Sequence, residues 1–293
     1  MSFAITLALI AVFCWSTVAT AFKLSLQVFR PLELLVFASF FACIFLWFCS
    51  LGSSTSRWRT QSWGSSRLLL VALTGLINPC LYYFLLFGAY DRLLAQQALA
   101  LNYTWPLALV MLDSLVRRRL PKPKVLICLI LAFFGILISS GAYSHSLFGV
   151  DLWGVSLALS SAVIWSIYWI MQTKIPGDEL VNLTISFGIA TVLMIFILPL
   201  PEPRSFTELV WPAYVGVMEM ALPFYCWSMA MSRVKHTVEL ASLVYLSPVL
   251  STIWIAVVLR EPLQLDLLIG LVLIILACFF SSKLQSQESD AHN

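Results

Sequence analysis

The sequence predicts an all-α integral membrane protein, ten transmembrane helices built as two inverted five-helix repeats. Three observations predict it. Of 293 residues, 61% are hydrophobic and 11% charged, with a mean hydropathy of +0.94. A soluble domain of this size cannot hide that much apolar surface. Ten stretches reach the roughly 20 mostly apolar residues that a membrane crossing needs. Finally, short markers recur in the same order in both halves. Trp15-Ser16 returns as Trp165-Ser166, 150 residues later, and Tyr103-Thr104-Trp105-Pro106 as Tyr245-Leu246-Ser247-Pro248, 142 later. An odd number of crossings per copy turns the second copy upside down in the bilayer, a build of secondary transporters.

The stretches cover residues 3–22, 32–51, 68–88, 94–115, 125–142, 152–172, 181–199, 211–231, 237–259 and 264–281. The first has no basic leading region and no small-residue cleavage site, so it reads as a retained helix. Residues 1–142 form the first repeat, 143–150 a short linker and 151–281 the second repeat. Residues 282–293 are polar and are expected to form a disordered cytoplasmic tail. Spans three and eight align at an offset of 141, which sets Gly75 on Gly216, Ala89 on Ala230 and Asn78 on Glu219.

Lysine and arginine accumulate in cytoplasmic loops. With the N-terminus inside, the inner segments hold 12 basic residues and the outer ones 5, so both termini read as cytoplasmic. The cluster Arg117–Lys124 then anchors topology, and no nucleic-acid partner is implied. The expected setting is a multi-pass protein of a bacterial inner membrane. Trp47, Trp58, Trp63, Trp153 and Trp211 fall at span ends or in loops, as an aromatic belt at the bilayer surface requires. Lys23 ends span one, where its stem can snorkel to the interface.

The seven cysteines show no CxxC or metal-like spacing and read as buried thiols. No P-loop, G-x-S-x-G or H-E-x-x-H motif is present. No cofactor or metal is expected, and an integral-membrane enzyme finds no polar catalytic cluster here. Without an ATP-hydrolysing module, energy for transport comes from a gradient. An internally duplicated chain can work as a monomer whose partners are a small-molecule substrate and the lipid bilayer.

The ten spans, the paired W-S and Y-x-x-P markers, and Arg260-Glu261-Pro262-Leu263 after span nine resemble the drug/metabolite transporter superfamily, its EamA-type branch. Within it, Asn102-Tyr103-Thr104-Trp105-Pro106 is similar to the N-Y-x-W-P of bacterial aromatic amino acid exporters. The resemblance implies export from the cytoplasm. It departs at Arg119, which stands where the second half has Glu261.

Ionisable groups inside a span cost at least about 2.5–3.5 kcal/mol, which makes each a functional candidate. Glu219 lies near the middle of span eight, with Asn78 at the equivalent depth of span three, beside Pro79. A shared cavity facing both is expected. A carboxylate there can hold a substrate ammonium or a proton, and one that exchanges the two is an antiport device. The alternative is a protonated Glu219 bonded to a neighbouring helix. Glu239, at the start of span nine, reads either as an inner coupling group or as a helix-start acid paired with Lys235. Trp15, Trp105 and Trp165 fall near mid-span, where a surface belt explains nothing. With Tyr82, Tyr83, Tyr103, Tyr168, Tyr245 and Asn102 they can line an aromatic binding site, or simply pack helices. No span has a Lys or Arg near its centre, which argues against nucleotide-sugars and other phosphorylated solutes.

Overall fold

Inside lipid a chain must satisfy its own backbone polar groups, and apolar stretches of this length do so as helices. The structure is a computed structural model that describes residues 2–52, 64–116, 123–139, 151–172, 174–198, 205–231, 233 and 242–291. Every regular element among the described residues is helical. In chain order they are α1 (Ser2–Leu26), α2 (Pro31–Gly52), α3 (Ser65–Arg92), α4 (Ala95–Val116), α5 (Pro123–Ser139), α6 (Leu152–Gln172), α7 (Glu179–Ile197), α8 (206–231), α9 (242–259) and α10 (Leu265–Ala291).

Seven of these, α1 to α4 and α6 to α8, are long and apolar enough to cross a membrane. The apolar parts of α9 and α10, Leu246–Leu259 and Leu265–Phe280, are shorter. α5 has 17 residues. Of the ten predicted spans, seven therefore meet the length criterion among the described residues. The 143–150 linker, Arg117–Lys122, Trp58 and Trp63 lie outside them. The tail departs from expectation, because α10 continues through the polar stretch to Ala291. Lys283, Leu284, Gln285, Gln287 and Glu288 are good helix formers with no Gly or Pro among them, so the helix propagates past the apolar boundary.

Local chemistry fixes the helix starts. Glu33 accepts the Arg30 N–H at 2.8 Å and opens α2, where Pro31 needs no partner. Asp178 caps α7 through the Val181 N–H. Asp151 caps α6 through the Gly154 N–H at 2.8 Å and also pairs with Arg92 at 2.9 Å. The Gly154 N–H above all, with Arg92 beside it, holds the Asp151 carboxyl below its ordinary range.

Packing follows a regular scheme. α1 packs on α8 and α6 on α3; α2 on α8 and α7 on α3; α1 on α9 and α6 on α4; and α5 lies along α10. Exchanging each helix for the one five places away turns one pairing into the other. Two glycines make the closest approaches. A Cβ on Gly75 would collide with the Ser186 carbonyl of α7, and one on Gly216 with the Ala38 carbonyl of α2. Large apolar side chains cover the outside, Phe13, Phe48, Phe133 and Phe196 among them, as a lipid-facing surface requires. Trp47, Trp153 and Trp211 are exposed, in keeping with a belt.

One end of the bundle gathers Lys23, Arg92, Asp151 and Glu261. The other gathers Phe3 beneath Arg233, with the guanidinium 5.6 Å from the ring, and Arg67, which donates to Asn182 at 2.6 Å. This is the alternation of helix direction that the sequence predicts for α1, α3, α7 and α8.

Candidate functional site

Three helices abandon regular geometry at mid-length. α3 widens into a π turn over Leu76–Leu81 and α8 over Gly216–Ala221. Such turns leave backbone groups open and favour functional sites. The two turns hold Asn78 and Glu219, the pair that the 141-residue offset sets opposite each other. In α3 the cause is Pro79, which forces Asn78 out of the helical region to φ −140°, ψ 115°. α4 breaks at Tyr103-Thr104, between the segments Ala95–Asn102 and Trp105–Val116. Pro106 sits in the first turn of the second segment, where no N–H is needed. Two serines of α6 brace the break. Ser161 takes the Asn102 amide at 2.9 Å, and the Ser166 hydroxyl lies 2.7 Å from the Trp105 carbonyl.

These breaks surround a central cavity of about 100 Å³. A single water needs roughly 10–15 Å³ by that measure, so a small organic solute can be held. Trp15 enters from α1, Tyr82 from α3, Asn102, Tyr103 and Trp105 from α4, Trp165 from α6 and Glu219 from α8. Trp165 is the hub of the ring system. It stacks on Tyr82 at 4.6 Å and on Tyr168 at 5.4 Å, and meets Phe224 edge-on at 5.4 Å. Trp15 packs against Trp227 at 5.6 Å.

Glu219 is 6% exposed. Its Oε1 accepts the Tyr83 hydroxyl at 3.1 Å, while its buried Oε2 has no hydrogen-bond partner among the described residues. Native structures rarely bury an unsatisfied carboxylate oxygen, because desolvating it is costly. Here it sits in the wall of a cavity from which a ligand can satisfy it.

Asn78, Tyr83 and Tyr168 do not line this cavity; all three stand one layer behind it and are almost fully buried. Neighbours on a helix point about 100° apart, so Tyr82 and Tyr83 cannot both face the same space. The backbone at Asn78 is extended, and its buried side-chain amide has no hydrogen-bond partner among the described residues. The expected shared cavity is thus faced by Glu219 alone of that pair. Glu239 and the Tyr245 side chain lie outside the described residues.

Four further aromatics line the cavity: Phe22, Tyr90, Trp169 and Trp227. Helical spacing carries the signal for three of them. Trp15, Val18, Ala19 and Phe22 form one stripe of α1; Tyr82, Leu86 and Tyr90 one stripe of α3; Trp165 and Trp169 one stripe of α6. Among the described residues no Lys or Arg lines this cavity, and no cluster of His, Cys, Asp or Glu could hold a metal.

A bundle of membrane-crossing helices around a buried carboxylate and a small central cavity is the build of a multi-pass membrane transporter. The chain belongs to the EamA-like transporter family, within the drug/metabolite transporter superfamily, and the family matches residues 2–141 and again 152–283. It is 26% identical over 149 residues to an uncharacterized transporter of Clostridium kluyveri, covering 48% of this chain and 47% of that one. It is 29% identical over 175 residues to the uncharacterized transporter YvbV of Bacillus subtilis, covering 56% and 55%. The chain thus spans about half the length of these two relatives. A third, the uncharacterized transporter YetK of the same organism, is 25% identical over 243 residues, 77% of this chain and 70% of its own. A solved crystal structure shares the fold with a TM-score of 0.66 at 21% identity, over 98% of this chain and 99% of that one.

Proposed function

We propose that the chain is a secondary transporter for a small organic solute bearing an ammonium group, an amino acid or close analogue, exported by alternating access around the central cavity. One observation carries this reading: the Glu219 carboxylate, held through one oxygen by Tyr83 and unpartnered at the other, amid aromatic rings. A cation over such rings gains roughly 0.5–2 kcal/mol per contact. Among the described residues the wall carries no Lys or Arg, which disfavours a phosphorylated cargo. Exchange of a proton for the ammonium at Glu219 couples flux to a gradient. The broken helices α3, α4 and α8 are the moving parts.

The chain is further read as inverted repeats over 1–142 and 151–281. The exchange of helix pairings, the paired glycine contacts and the paired π turns support this. The 12-to-5 distribution of basic residues supports cytoplasmic termini in a bacterial inner membrane.

The test is flux of amino acids and amines through the purified chain in proteoliposomes, with and without a proton gradient. Glu219→Gln is expected to abolish or uncouple flux while the variant elutes and melts like the parent. Normal flux with normal pH dependence in that variant sinks the reading.

A further inference from the structure

A second cavity, of about 400 Å³, opens where the ends of α1 and α3 meet the segment after α9. Lys23, Asp91 and Glu261 bring three charges into it. Tyr90 lines both cavities, and its ring meets Phe22 edge-on at 5.1 Å, so these two rings form the wall between them. Each wall residue is followed in sequence by a charge that faces the second cavity: Phe22 by Lys23, and Tyr90 by Asp91.

The charges do not cancel by contact. Among the described residues no ion pair within 4.0 Å joins Lys23 to either carboxylate. Glu261 is pinned: its Oε1 accepts the Ala95 N–H at 3.1 Å, and Gln96 holds the neighbouring Pro262 carbonyl at 3.3 Å. Its Oε2 is buried without a hydrogen-bond partner among the described residues. This repeats the arrangement at Glu219, one oxygen fixed by the protein and the other left to the cavity. A simple snorkelling role for Lys23 leaves that arrangement unexplained.

We propose that this cavity is a second solute site, with Glu261 and Asp91 taking an ammonium group and Lys23 a carboxylate. A site with both signs of charge selects a zwitterion over a bare amine or a bare acid. The proposal rests on the amino-acid reading of the central cavity and places a second station beyond the Phe22–Tyr90 wall.

Equilibrium binding to the full chain in lipid nanodiscs tests it, with L-phenylalanine, phenethylamine and 3-phenylpropionate as probes. The parent is expected to bind two L-phenylalanine per chain, and Glu219→Gln one. Adding Lys23→Gln to that variant is expected to weaken the remaining L-phenylalanine site about tenfold and to leave phenethylamine within about twofold. Because Glu261 also caps α4, Lys23→Gln and Asp91→Asn carry the test and Glu261→Gln supplements it. A single site in the parent that Glu219→Gln removes overturns the second site and spares the central one. Two sites of which Lys23→Gln and Asp91→Asn alter neither also overturn it. Two sites that Glu219→Gln leaves intact overturn the central reading, while the Lys23→Gln result still judges the second. No binding of any probe to the parent overturns both.

Discussion

The Tyr83 hydroxyl of α3 donates to Oε1 of Glu219 in α8 at 3.1 Å, from a ring that is itself fully buried. Tyr83 never reaches the cavity, yet it fixes which oxygen of Glu219 does. Tyr83→Phe removes that donor and leaves both oxygens without it. A loss of about 1–3 kcal/mol in stability is expected, with weaker solute binding. Melting of the detergent-purified variant and the KM of proteoliposome flux measure the two effects. An unchanged KM shows that the bond is structural only.

Trp165 stacks on Tyr82 and Tyr168 and carries the largest share of the ring contacts around the cavity. Trp165→Ala is expected to raise the KM for an aromatic or cationic solute between about two- and thirtyfold. Trp165→Phe, which keeps a π face, is expected to fall between the two. Equal KM values for all three place the solute elsewhere.

Gly216→Ala drives a methyl group into the Ala38 carbonyl, and Gly75→Ala does the same at Ser186. The neighbour in each case is backbone, which cannot swing away. Each substitution is expected to cost about 1–3 kcal/mol by overpacking. Thermal melting checks this, and a melt unchanged from the parent refutes the close contact.

Asp151→Ala removes a helix cap and the partner of Arg92. A cost of about 1 kcal/mol is expected at neutral pH. The folded carboxyl sits below its ordinary range, so its contribution is present above the unfolded value near about 3.9. It is lost as pH falls through the folded value. Melting curves of parent and variant should therefore converge in acid and differ at neutral pH.

The 141-residue offset read from the sequence pairs Gly75 with Gly216 and Asn78 with Glu219. In the structure both glycines press against a neighbouring backbone, and Asn78 and Glu219 both lie in wide turns. Seven predicted cavity residues, from Trp15 to Glu219, do line it. The depth of a residue in the bilayer can be read from sequence because hydropathy reports it. The direction of its side chain cannot, in helices that are apolar all round: Tyr82 and Tyr83 look alike in sequence but fall on the wall and behind it. Asn78 does not line the cavity although it pairs with Glu219 by offset; Pro79 takes its backbone out of the helical region, and no counterpart proline stands after Glu219.

The two glycine contacts join α3 to α7 and α8 to α2, so each wide-turned helix is fastened to a helix from the opposite half of the chain. The halves are therefore clasped, each gripping the other near mid-depth. Backbone meets backbone at both points and cannot swing aside, so under the alternating access proposed above these are the two places about which the halves would turn.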